Sequence, residues 1–484
     1  MKRTAIFVLL LFLSVRLQAG VGYHIHLKMT DMKDSLVYLV HYYGKGRPRI
    51  FISDSVKLNH LGVAEFSSSD PDFAGGIYII LFRDTAKTNF ELLLNKGDNI
   101  SVTATRSRLP DGVQFKNAPE NERFEEYVDY LKGYSAEQEK LKKQLAQATT
   151  QTDTEAVRKK SVVSAKVLTQ YRRDYIKAHP GALLSSVFSA METPEIPEGA
   201  HLLEDGKTKD STFAYRYYKQ HYWDGWDFKD DRLVFTPLYD SRLEEYFSKL
   251  VLPWPDSVEK EADNILRKCR GTKDMFHYTL WWITRYAEES KVMGMDEAFV
   301  YLVENYYMKG DAFWLSNDEL QKYEDRASRI APNVCGNIAP EIKLPNVVTG
   351  KEESLLATKA KYTLIIFYSP NCGHCQHEMP QLDSLYRAVL KKKGVKVFTV
   401  ATETTDTTIR NFVTKNNMQE WTNTWDPQQK QEYKFKYDVY STPTIYLLDE
   451  HHKIRGKRLD HTNISGVIDM VERKEKEKKE TGRP

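Results

Sequence analysis

The stretch from Tyr362 to Pro380 constrains this chain most. Tyr362–Tyr368 reads YTLIIFY, an unbroken apolar run of the kind a strand needs when helices cover both faces of its sheet. Ser369-Pro370-Asn371 ends the run. Met379, Leu382, Leu385, Tyr386 and Val389 then recur at helical spacing until Gly394 stops them. At the junction stand Cys372 and Cys375, in Cys-Gly-His-Cys. Two cysteines at this spacing on a helix start can close a disulfide within one turn. Cys372 meets the free N–H groups and the positive dipole end of the helix, which favour a thiolate. Cys375, one turn further in, is shielded and suited to resolving a mixed disulfide. His374, when protonated, adds positive charge beside the thiolate. The pair reads as a redox centre.

Blander uses of the motif fit less well. A zinc knuckle needs a second ligand pair, and Cys269 and Cys335 are single and far apart in sequence; His377 adds one ligand and leaves the site short. A c-type haem needs His directly after the second cysteine, where this chain has Gln376. A purely structural disulfide closing so small a loop would constrain almost nothing. No cofactor and no metal is expected at the site. Cys269 and Cys335 read as inert buried thiols, with a bridge between them as the alternative.

The surrounding segments divide the chain. Val395–Ala401 reads as another buried strand and Asp406–Asn417 as a helix. Thr444–Asp449 and Lys453–Arg458 read as a hairpin, and Ile464, Val467, Ile468 and Val471 mark a last helix. This order predicts an α/β fold over 333–475, with a charged tail over 476–484. Residues 20–116 instead hold many short alternating strands between glycine-rich turns, which predicts an all-β sandwich. Phe124, Tyr127, Val128, Leu131, Tyr134, Leu141 and Leu145 then switch to helical spacing, and 117–332 reads as an all-α domain. Its crowded aromatics between Tyr215 and Phe247 are taken as core and rim. Residues 1–19 carry Lys2 and Arg3, the apolar run Ala5–Val15 and the small residue Ala19, a secretory signal peptide cut after Ala19. The run is too short for the ~20 residues of a spanning helix. The mature chain is expected to be exported, periplasmic in a Gram-negative-type cell, and free of any transmembrane span.

Residues 336–475 resemble the thioredoxin-like domain of the TlpA/ResA group of exported thiol–disulfide oxidoreductases. Gly336-x-x-Ala339-Pro340 is similar to the group's opening. Cys372, Cys375, Glu378 and Pro380 match Cys-x-x-Cys-x-x-Glu-x-Pro, and Ser441-Thr442-Pro443-Thr444 matches the cis-proline loop. Residues 402–440 correspond to the longer stretch the group carries before that loop. Asn371 stands where thioredoxins have Trp, and Ile366 where thioredoxin has a buried Asp. The resemblance implies that Glu378 handles the proton of Cys375 and that Thr442 and Pro443 pair with an extended substrate backbone. The whole chain also resembles a multidomain family with a signal peptide, a small β domain, a helical domain of unknown function and a TlpA-like domain.

Charge excludes one class of partner. Lys+Arg is 70 and Asp+Glu 67, and the excess of +3 lies in Lys2, Arg3 and Arg16, so a processed chain is neutral and not built for nucleic acid. The expected partners are protein disulfides and a membrane or periplasmic thiol electron donor. Direction is open at this level. The Gly-His dipeptide is similar to that of protein disulfide isomerase, near about −180 mV, against about −270 mV for thioredoxin. The TlpA/ResA resemblance favours reduction, with a disulfide oxidase or isomerase as the alternative. A peroxiredoxin-type peroxidase expects Pro and Thr or Ser at set positions before its cysteine, and Ile365 and Ser369 match poorly. From another class comes a ligand- or partner-binding protein whose redox domain is accessory.

Overall fold

The computed structural model describes residues 22–46, 49–82, 89–402, 405–428, 430 and 432–481. The proposed signal peptide, 1–19, lies outside the described residues. The chain forms two compact units. One runs to Leu250 and includes Lys268–Tyr278; the other comprises Val251–Arg267 and the chain from Thr279 onward.

The first unit begins with eight strands: β1 (Tyr23–Met29), β2 (Leu36–His41), β3 (Phe51–Lys57), β4 (Val63–Ser68), β5 (Gly76–Phe82), β6 (Asn89–Leu94), β7 (Asp98–Ala104) and β8 (Gln114–Lys116). They make two four-stranded sheets, ordered β4-β1-β7-β8 and β3-β2-β5-β6. Alternation along β1 puts Tyr23, Ile25, Leu27 and Met29 inside, and these meet Val37, Leu39, Ile80 and Leu92 of the facing sheet in one core. The expected sandwich is present, with β8 as an addition that three residues of low apolar content did not announce.

Helices follow: α1 (Pro119–Gln147), α2 (Gln151–Ala178), α3 (Leu183–Ala190), α4 (Phe213–His221) and α5 (Tyr239–Glu245). Asn121 of α1 receives the Leu93 N–H at 2.7 Å and donates to the Leu93 carbonyl at 2.9 Å, which ties the first helix to β6. The aromatic stretch is core, as the plainer reading expects: Tyr222, Trp223, Trp226, Phe228 and Tyr239 are all buried, with Trp226 stacked on Tyr239. Next come α6 (Pro255–Cys269), α7 (Asp274–Glu289), α8 (Asp296–Leu302) and α9 (Asn317–Ile330). No described helix is long and apolar enough to cross a membrane.

The second unit carries the predicted α/β fold. A short pair, β9 (Lys343–Pro345) and β10 (Glu352–Ser354), precedes β11 (Tyr362–Tyr368). Then come α10 (Gly373–Leu385), β12 (Val395–Ala401), α11 (Asp406–Lys415), β13 (Thr422–Trp425), α12 (Glu432–Lys436), β14 (Thr444–Asp449), β15 (Ile454–Lys457) and α13 (Ile464–Thr481). The sheet order is β13-β12-β11-β14-β15. β11 is parallel to β12 and antiparallel to β14. This is a thioredoxin-like arrangement, with the redox segment on its central strand. Every residue of β11 is buried because both faces are covered. Leu364 and Ile366 face Met379 and Leu382 of α10 and Ile468 of α13. Ile365 and Phe367 face Tyr433 and Tyr437 on the other side.

One polar group is sealed within this unit. The Lys457 side chain is 2% exposed and its ammonium donates to Asp296 and to Asn333, each at 2.6 Å. Asn333 also donates to the carbonyls of Arg329 and Lys436 and accepts from the Tyr446 hydroxyl. Elements on both sides of residue 333 thus share one buried hydrogen-bond network.

Candidate active site

Cys372 caps α10, and the helix runs on from Gly373. The turn before it is closed by the Cys372 N–H donating to the Ser369 carbonyl, 3.1 Å, and by the Gln376 side chain donating to the Pro370 carbonyl, 3.0 Å. Cys372 is half-buried, Cys375 is fully buried, and both are thiols. The Cys372 thiol donates to the Thr442 carbonyl across 3.1 Å. Thr442 is joined to Pro443 by a cis peptide bond at the head of β14, so the loop recognised from Ser441-Thr442-Pro443-Thr444 does lie against the redox cysteine.

The two sulfurs differ sharply in acidity. Partial burial by itself raises the Cys372 thiol. Hydrogen bonds to its thiolate outweigh that: the Thr442 side chain, the N–H and thiol of Cys375 and the N–H of His374 bring it down to about 7. Two of these donors are helix N-terminal N–H groups with no partner inside the helix. Burial pushes the Cys375 thiol up to about 11, and the adjacent Cys372 sulfur adds to the rise. Alkylation by iodoacetamide should therefore follow a single titration with a midpoint near pH about 7, all of it at Cys372. Mass spectrometry that finds Cys375 modified at neutral pH as fast as Cys372 would contradict this assignment.

The other residues singled out from sequence fall into place around the pair. His374 is exposed on the first turn of α10. Glu378, one turn beyond Cys375, is buried, as is Ile366 on the strand beneath. Its carboxylate is held at both oxygens by one residue: the His461 N–H donates to Oε1 at 2.6 Å, and the ring Nδ1 lies 2.8 Å from Oε2. Sequence reasoning missed His461. It lies 83 positions from Glu378, in the loop from β15 to α13, and no local spacing links the two. Cys269 is buried and Cys335 half-buried, and neither is in a disulfide. Burial pushes the Cys335 thiol up to about 11, the mark of an unreactive group.

Comparison with known proteins finds relatives of the segment that holds this site. Residues 335–457 match the model of the AhpC/TSA family, and residues 144–333 match a domain of unknown function, DUF5106. The thiol–disulfide oxidoreductase ResA of Bacillus thuringiensis and that of Bacillus anthracis are each 31% identical over 114 residues, which is 23% of this chain and 64% of theirs. The matched segment thus spans less than two thirds of those relatives. Among solved structures, a domain described as a possible thiol–disulfide isomerase from Cytophaga hutchinsonii is 32% identical, with 30% of this chain and 98% of that chain covered and a TM-score of 0.28. A thioredoxin-like protein from Bacteroides caccae is 19% identical, covering 57% of this chain and 97% of its own, with a TM-score of 0.45. The C-terminal part of this chain carries an AhpC/TSA-type, thioredoxin-like domain, similar to the thiol–disulfide oxidoreductase ResA, behind a DUF5106 domain.

Proposed function

We propose that the chain is an exported thiol–disulfide oxidoreductase that reduces protein disulfides through Cys372 and Cys375. The observation that carries the reading is the contrast between the two thiols, one half-buried and held down at about 7, the other buried and pushed up to about 11. Cys372 as thiolate attacks a substrate disulfide; one Cys372–substrate S–S bond forms and the substrate's other sulfur leaves as a thiolate. Cys375 gives its proton to Glu378 and attacks the Cys372 sulfur. The Cys372–Cys375 disulfide forms, the second substrate sulfur leaves, and two electrons have passed to the substrate. Thr442 and Pro443 border the nucleophile and are the residues proposed to pair with an extended substrate. Pro443 has no N–H, so the backbone there cannot extend into a continuous sheet.

A thiol donor on the membrane or in the periplasm would return the pair to the dithiol. The signal sequence over 1–19 supports export. The resemblance of Cys372, Cys375, Glu378 and Pro380 to the TlpA/ResA motif favours the reducing direction. The decisive measurement is the potential of the Cys372–Cys375 couple. A reductase should lie near the thioredoxin value of about −270 mV, and a value at or above about −180 mV would rule out the reducing direction.

A further inference from the structure

The contact between Glu378 and His461 holds more than a packing role requires. A ring nitrogen and a carboxylate oxygen 2.8 Å apart must have a hydrogen between them, because two bare acceptors repel at that distance. The second oxygen takes the His461 backbone N–H at 2.6 Å. Glu378 is therefore clamped at two points and cannot swing away without leaving two part-buried donors of His461 without their acceptor. The clamp fixes the carboxylate on the face of α10 that also carries Cys375, since positions i and i+3 are neighbours there. The two partners differ in access to water: the Glu378 side chain is 12% exposed and the His461 side chain 30%. A proton that reaches Glu378 from Cys375 meets less solvent there than at the more exposed imidazole.

We propose that His461 is the positioning residue of the resolving step: it aims Glu378 at Cys375 and passes the excess proton to solvent. The inference rests on the redox reading above. With the ring protonated, Nδ1–H stays on Oε2 as Glu378 accepts the Cys375 proton. The neutralised carboxyl no longer offsets the charged ring, and the Nε2 proton departs to water. One proton leaves Cys375, one leaves His461, and the pair keeps the same net charge. The new Cys375 thiolate attacks the Cys372 sulfur, and the substrate sulfur leaves with the electron pair.

The charged groups around the pair suit this. Asp460 precedes His461, and its carboxyl is held low by the Thr462 hydroxyl and by the N–H groups of Thr462 and Asn463. Asp460 is thus engaged within its own loop, by Thr462, and leaves Glu378 to His461. The titratable residues nearest Glu378 along α10 are Cys375, one turn before it, and His377, which is exposed.

The test uses the full chain with Cys372 first converted to its glutathione mixed disulfide, and follows glutathione release against pH. His461→Gln keeps an N–H donor but carries no proton; it should slow release at least about tenfold near neutral pH and displace the pH profile. Iodoacetamide alkylation of Cys372 should be unchanged in that variant. His461→Ala opens space for added imidazole, which should speed release there and leave Glu378→Gln unmoved. The double variant Glu378→Gln/His461→Gln should be no slower than Glu378→Gln. A wild-type pH profile in His461→Gln, or no imidazole response in a folded His461→Ala, overturns the proposal. If the wild-type adduct never releases glutathione, the redox reading itself fails, and this inference with it.

Discussion

Replacing Cys375 by Ser will leave the protein covalently joined to its substrate through Cys372. Cys372 keeps its helix N-terminus and the Thr442 contact, so the first attack is intact. The sulfur that should attack next is gone. That second step is intramolecular between side chains one turn apart, so its loss should lengthen the life of the mixed disulfide by at least about a hundredfold. Non-reducing gels of an extract should show adducts that dithiothreitol removes. Cys372→Ser should show none, since the Cys375 thiol is buried and pushed up to about 11. Equal adducts with both variants would reverse the roles given to the two sulfurs.

Asp296→Ala should destabilise the second unit by about 3–5 kcal/mol, the range for breaking a buried ion pair from one side. The Lys457 side chain is 2% exposed, and Asp296 supplies its anionic partner. Without that carboxylate the ammonium keeps the Asn333 oxygen alone, with the Tyr446 ring 5.9 Å away. Removing both charges behaves differently. Asp296→Leu with Lys457→Met should recover most of the loss, because apolar groups of similar volume often replace a buried pair at little cost. The check is the guanidinium midpoint of the transition in which disulfide exchange is lost. A single variant that unfolds at the wild-type midpoint would mean that the ammonium finds water.

The readable part of this chain is where local pattern and tertiary demand coincide. Tyr362–Tyr368 and Val395–Ala401 are strands at the bounds their sequence patterns suggest, because interior strands are mostly apolar; in the second, Lys396 alone is exposed. Thr422–Trp425 was not legible: TNTW is short and polar, and it becomes a strand by pairing with β12 at the sheet edge. The helix after Cys372 was legible, but not its change of winding at Tyr386–Leu390, where Tyr386 and Leu390 enter the core. In the site, Cys372 and Cys375 announce themselves by spacing, and Thr442-Pro443 by its place before a strand. His461 does not, because its role exists only once the β15–α13 loop returns to α10. The partners of Lys457 are hidden for the same reason: Asp296 is 161 positions away.

The burial of Cys375 one turn from a half-buried, easily ionised sulfur has a consequence under oxidative stress. A peroxide that reaches Cys372 first yields a sulfenic acid, the reversible rung of cysteine oxidation. The Cys375 thiol then displaces hydroxide to give the internal disulfide and water before a second oxygen can add. In the proposed cycle that disulfide is the species left by each turnover, and the proposed thiol donor would reduce it. Damage would thus be converted into an ordinary intermediate of the working cycle, while Cys375, closed off from solvent, is never the sulfur that oxidant meets first.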